Sequence, residues 1–87
     1  MYVVRSGRVS IMTYGTVLES VGPNGMFGEM ALIDGSPRSA TAVAAEPTEV
    51  APIDRSAFAH LVRQDPDFAL RVMRLLAARI RQMNASL

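Results

Sequence analysis

The most constraining feature of this chain is a change of rhythm partway along it. Up to Pro52 the sequence is cut into short runs by glycine and proline, whereas from Pro66 to Leu87 only the leading proline occurs. The first part favours short strands and turns, and the second can sustain one long helix. Tyr2 to Arg5 reads as a strand running into a Ser6-Gly7 turn or bulge, and Arg8-Val9-Ser10-Ile11-Met12-Thr13-Tyr14 alternates polar and apolar. Tyr14-Gly15-Thr16 turns the chain, Thr16 to Val21 gives another short strand, and Gly22-Pro23-Asn24-Gly25 is the strongest turn signal present. Ala40 to Ala45 alternates weakly, and Pro47 and Pro52 bracket an edge-like strand at Thr48-Glu49-Val50-Ala51. Many short strands between such turns predict a barrel, sandwich or jelly roll.

After Pro52 the period changes. Asp54 is placed to cap a short helix through Ala57, Phe58, Leu61 and Val62, and Asp65-Pro66 pairs a capping acid with proline at the first helical position. Val72, Met73, Leu76, Ile80, Met83 and Leu87 then recur at helical spacing, with Arg71, Arg74 and Arg81 off that stripe. A helix of that span is about 30 Å long, so part of it is expected to project or to pack on a partner. At 87 residues the chain has room for one small domain. It has no cysteine and a single histidine, His60, which excludes thiolate chemistry and His-rich metal sites and leaves no Ser/His pair to name. His60, beside Phe58 and Leu61, reads as partly buried and non-catalytic. The net charge of +1 gives no general pull toward nucleic acid or anionic membrane. No run approaches the roughly 18 apolar residues of a membrane span, and Met1-Tyr2-Val3-Val4-Arg5 lacks a signal-peptide pattern, so a cytoplasmic protein is expected.

The chemistry is concentrated in Phe27-Gly28-Glu29-Met30-Ala31-Leu32-Ile33-Asp34-Gly35-Ser36-Pro37-Arg38-Ser39-Ala40-Thr41. Gly28 lets the backbone approach a ligand closely, and a turn of helix beginning near Glu29 aims free N–H groups outward. Nine residues after Glu29, Arg38 offers a planar, permanently charged fork suited to phosphate, followed by the Ser39 hydroxyl. Glu29 cannot bind an anion but can accept hydrogen bonds from sugar hydroxyls. These groups fit a ligand with a phosphate beside a ribose. From spacing alone, a surface Glu29–Arg38 ion pair over a tight loop explains the same run equally well. Phe27, Leu32 and Ile33 are expected in the β core, and Met26 and Met30 to serve packing.

This run resembles the phosphate-binding cassette of cyclic nucleotide-binding domains, as in protein kinase A regulatory subunits, nucleotide-gated channels and catabolite-activator-type regulators. The family pattern is Phe-Gly-Glu, a bulky apolar residue, Ala-Leu, a short variable loop, then Pro-Arg, a small residue, Ala and Thr, and every element stands here. Tyr2-Val3-Val4-Arg5-Ser6-Gly7-Arg8-Val9 is similar to the family's strand-Ser-Gly-strand signature, and Gly22 to Gly25 stands where the family turns into its cassette. The resemblance implies a mainly β fold with C-terminal helices in a single domain. A partial double-stranded β-helix, or jelly roll, would occupy 1–53 with the cassette at 27–41, and a hinge helix and long C-terminal helix would occupy 54–87. It further implies that Arg38 pairs with the exocyclic oxygens of a cyclic phosphate and that Glu29 accepts from the ribose 2′-hydroxyl. The amides of Gly28, Ala31 and Ser39 would complete the anion cradle, with Met30 and Ala40 in the same stretch. Asn84 stands where catabolite-activator-type regulators carry a lid residue over the base; an exposed, fraying terminus is its other reading. The implied ligand is cyclic AMP ahead of cyclic GMP, with no cofactor and no metal.

The family's domain normally opens with a helical segment and several strands ahead of the position matching Met1. Without them an eight-stranded jelly roll cannot close, so an N-terminally truncated fragment is expected, or strands supplied by a partner. No helix-turn-helix follows the long helix, and Arg71, Arg74, Arg79 and Arg81 lack aromatic interleaving, so this chain is not expected to contact DNA itself. Nor is it expected to enter a membrane or to be an enzyme, since no nucleophile–base pair stands out. The leading expectation is a regulatory sensor in which ligand binding moves the C-terminal helix, itself a candidate homodimer contact. The alternatives are a ligand-blind dimerisation module, or the truncated sensor part of a catabolite-activator-type transcription regulator.

Overall fold

The computed structural model describes residues 1–35 and 40–85, with residues 34 and 83–85 described by their backbone alone. In chain order the elements are β1 (Tyr2–Ser6), β2 (Val9–Thr13), β3 (Thr16–Val21), β4 (Met26–Phe27), α1 (Glu29–Asp34), β5 (Thr41–Ala44), β6 (Glu49–Pro52), α2 (Arg55–Gln64) and α3 (Pro66–Ala85). They form two compact units, Met1–Asp54 and Arg55–Leu87.

The first unit holds two three-stranded sheets, ordered β4-β1-β6 and β3-β2-β5, with every pairing antiparallel. Alternation decides which side chains turn inward. Val4, at 0% exposure, clusters with buried Val9, Val21 and Phe27, and Tyr2, Ile11 and Val50 pack against that cluster. The core therefore draws on both sheets, in the jelly-roll manner expected. Tyr2 stands opposite Phe27 in the β1–β4 register, and their rings stack with centroids 5.3 Å apart. The ends of the unit are tied by Met1 and Ile53, whose nitrogens donate to each other's carbonyl oxygens at 2.9 and 2.7 Å. β5 pairs with β2, and all four of its residues are exposed.

Several expectations are refined. The strand anticipated over residues 8–14 is Val9–Thr13, because Tyr14 (φ 49°) and Gly15 (φ 76°) form a left-handed two-residue hairpin turn. The two-residue strand β4 is too short to leave a periodic trace. Ile33, expected in the core, is 48% exposed: α1 is six residues long, and the cover that buries Glu29 at its start does not reach one turn further to Ile33. Met26 is buried as expected for packing, whereas Met30 is 54% exposed.

In the second unit α2 ends at Gln64 and Asp65 starts α3. Its Oδ1 accepts from the Asp67 and Phe68 N–H groups at 3.1 and 3.2 Å, satisfying two first-turn donors ahead of which Pro66 has none to offer. Asp65→Ala is expected to destabilise the protein by about 1 kcal/mol, measured as a lowered thermal midpoint with the β-sheet signal retained below it. Phe68 and Val72, four residues apart, are buried, and Phe68 meets Phe58 edge-on with ring centroids 5.9 Å apart. The expected apolar stripe is thus divided: Val72 faces in, while Met73 and Ile80 are more than half exposed. His60 is exposed rather than partly buried.

Candidate functional site

The approach to the site begins at the Gly22–Gly25 turn. Gly25 N–H donates to the Gly22 carbonyl at 3.0 Å, which closes the turn. Asn24, at a left-handed φ of 69°, donates its N–H to the Val4 carbonyl at 2.8 Å, and Val4 N–H returns a bond to the Gly25 carbonyl at 2.9 Å. These bonds hold the turn on the middle strand of its sheet. β4 then follows as a short paired segment, anchored by the Tyr2–Phe27 stack.

Gly28 adopts φ 80° and ψ 14°, a left-handed conformation that costs a residue with a Cβ roughly 1–2 kcal/mol. It stops the strand and starts α1 at Glu29 without a side-chain cap, so the first-turn N–H groups have no partner inside the helix. Gly35, also left-handed, ends the helix with its N–H donating to the Ala31 carbonyl at 3.1 Å.

Glu29 is the notable group. At 1% exposure it is the only buried polar or charged residue among those described. Its Oε2 atom accepts no hydrogen bond within the protein among the described residues, although the residue has interactions elsewhere. Burying a carboxylate is costly, and the positive end of a helix offsets only part of that cost. An ionised carboxylate only accepts hydrogen bonds, so this position suits a hydroxyl or N–H donor and repels a phosphate.

The structure thus brings Gly28, Glu29, Met30 and Ala31 onto one turn between β4 and α1. Gly28 and Ala31 are half-buried, Met30 is exposed, and Ala40 is half-buried immediately before β5. Arg38 and Ser39 lie outside the described residues, as does the side chain of Asn84 on α3. Tyr2, placed by the sequence in the first strand and its strand-Ser-Gly-strand signature, also backs Phe27 with its ring, a contact the sequence does not reveal. Among the described residues no three of His, Cys, Asp and Glu come together as metal ligands would. No helix among them is long and apolar enough to cross a membrane.

Comparison with known proteins agrees with this architecture. The cyclic nucleotide-binding domain family matches residues 1–65. The cyclic AMP receptor protein of Thermus thermophilus is 37% identical over 92 residues, an alignment covering 100% of this chain and 43% of that protein. The crystal structure of the Thermus thermophilus catabolite activator protein is similar at a TM-score of 0.84 and 38% identity, over 99% of this chain and 43% of that one. The EAL enzyme Bd1971, solved in cyclic GMP-bound and cyclic AMP-bound forms, is similar at a TM-score of 0.65 and 31% identity, over 98% of this chain and 24% of that one. The chain spans less than half the length of the curated relatives it matches. By its strand order, its Phe-Gly-Glu turn and these matches, the chain belongs to the cyclic nucleotide-binding domain family.

Proposed function

We propose that this chain is a regulatory sensor that binds a cyclic nucleotide, cyclic AMP ahead of cyclic GMP, at the turn from Gly28 to Ala31. The observation that carries this reading is the burial of Glu29, 1% exposed, directly after a left-handed glycine and within the stretch matched by the family. A carboxylate held there accepts from the ribose 2′-hydroxyl. The cyclic phosphate takes the Arg38 fork, the amides of Gly28, Ala31 and Ser39, and the Ser39 hydroxyl. Met30 and Ala40 flank the cradle, and Asn84 acts as a lid residue toward the base. One arginine and short amides match a single compact negative charge, whereas a triphosphate calls for further cations. The name of the Thermus relative favours cyclic AMP, and the two forms of the EAL enzyme support keeping cyclic GMP as the second ligand.

In this reading residues 1–53 carry the ligand, and residues 54–87 relay its binding through α2 to α3. Coupling exists only to the extent that the nucleotide binds one arrangement of the relay more tightly than the other. The chain itself is non-catalytic, cytoplasmic, free of metal and cofactor, and makes no direct contact with DNA. A second reading has its own support: Leu70, Met73 and Ile80 are exposed apolar residues on α3, which favours a dimerisation module.

Isothermal titration calorimetry separates the two. Saturable heat is expected with cyclic AMP, weaker binding with cyclic GMP, and none with ATP. A chain that sediments as a dimer and gives a flat titration with both cyclic nucleotides overturns the sensor reading in favour of the second.

A further inference from the structure

Arg8 stands where three segments of the first unit meet. Its N–H donates to Thr48 Oγ1 at 3.1 Å, whose own hydroxyl donates to the Glu46 carbonyl at 2.7 Å, and its carbonyl accepts from Ala45 N–H at 2.9 Å. Those bonds fix its backbone against the loop between β5 and β6. Its side chain reaches elsewhere: Nη1 donates to Ser20 Oγ at 3.0 Å, near the end of β3. The guanidinium lies against Gly22, where a Cβ would come within 2.8 Å of Nη2, 3.2 Å of Cζ and 3.3 Å of Nη1. Gly22 is not among the glycines with positive φ. Its backbone does not require glycine; a methyl group there would meet the movable end of the Arg8 side chain and displace the guanidinium from its place beside Ser20.

From Gly22 the chain passes directly through the turn, β4 and Gly28 to the buried Glu29. We propose that Arg8 is a positioning residue for the nucleotide site. By seating Gly22 and Ser20 against a corner already fixed on Thr48, it sets where the turn and the start of α1 lie, and so sets ligand affinity without touching the ligand. A planar fork can hold Ser20 and cover Gly22 together, which a lysine ammonium cannot. The inference rests on the sensor reading above.

The test is a double-mutant cycle read by cyclic AMP calorimetry and by amide hydrogen exchange over residues 25–29. Arg8→Ala is expected to weaken binding about threefold to tenfold, the worth of one or two hydrogen bonds, and to speed exchange over 25–29 with little change in thermal midpoint. Arg8→Lys is expected to behave like Arg8→Ala. Gly22→Ala is expected to weaken binding similarly in the parent but to add nothing on the Arg8→Ala background, since the atoms its methyl group meets are gone. If the parent binds cyclic AMP and the two substitutions act additively, or Arg8→Ala stays within twofold of the parent, this inference fails alone. A parent that binds no cyclic nucleotide ends the sensor reading and this inference with it.

Discussion

Arg38→Ala is expected to weaken cyclic AMP binding about tenfold to a hundredfold, the cost of truncating a hydrogen-bonding partner of a charged group. The argument is one of supply. Between Arg8 and Arg55 the sequence contains no other arginine, no lysine and no histidine, so no neighbour in that stretch can replace the lost charge. Glu29, the other ionisable residue of the cassette given a ligand role, opposes an anion. The first-turn amides supply hydrogen bonds and partial charge, which retain weak binding but not the full attraction. Arg38→Lys is expected to fall between parent and Arg38→Ala, because it keeps the charge and loses the two-pronged geometry. Glu29→Ala is expected to cost less affinity than Arg38→Ala. Calorimetry on the folded variants reads all three, and an unchanged Arg38→Ala affinity would remove the basis for assigning the phosphate to this residue.

The largest loss of stability is expected from Gly7→Ala, roughly 2–5 kcal/mol. Gly7 has φ +84°, and a Cβ there would run into the Pro47 carbonyl oxygen and come within 2.6 Å of Thr48 Oγ1 and 2.7 Å of Thr48 Cα. Two costs add: about 1–2 kcal/mol for a left-handed alanine, and about 1–3 kcal/mol for overpacking against backbone that cannot swing aside. In a domain of this size each kcal/mol lowers the thermal midpoint by roughly 4–8 °C, so the transition shifts by about 8–40 °C. Gly15→Ala is the matched control. Gly15 has φ +76° but nothing within 4 Å of a Cβ, so it bears the first cost only. Thermal unfolding followed by circular dichroism compares them, and equal midpoints would show that the contact with Pro47 and Thr48 contributes nothing.

The parts of the fold carried by local chemistry were legible in the sequence. Gly22-Pro23-Asn24-Gly25 marks a turn because few other residues suit it, and Asp65-Pro66 marks a helix start because the acid supplies what the first turn lacks. The Phe-Gly-Glu run was legible as a motif, and its glycine does take the left-handed conformation that such a turn needs. What depends on distant partners was not legible. A buried Glu29 contradicts its hydropathy, and only the surrounding fold places it inside. Ile33 is as apolar as a core residue and lies one helical turn after Glu29, yet it is 48% exposed while Glu29 is buried, so the cover over that face ends within one turn of α1. Arg8 reads as any surface cation until Ser20 and Gly22 are seen beside it. Arg38 and Ser39, on which the phosphate reading depends, lie outside the described residues.

The pairing of β1 with both β4 and β6 also bears on the order in which the molecule is made. Tyr2 pairs with Phe27 and with Pro52, and Met1 bonds to Ile53, a separation of 52 positions. Contacts so far apart in sequence close slowly, while neighbouring helices such as α2 and α3 close quickly. On the ribosome β1 emerges before both of its partner strands, and its second edge stays unpaired until β6 has left the tunnel. The sheet that supports Phe27 and the turn into Glu29 is therefore completed late. A site encoded in the middle of this sequence becomes finished only after the residues beyond it have been synthesised.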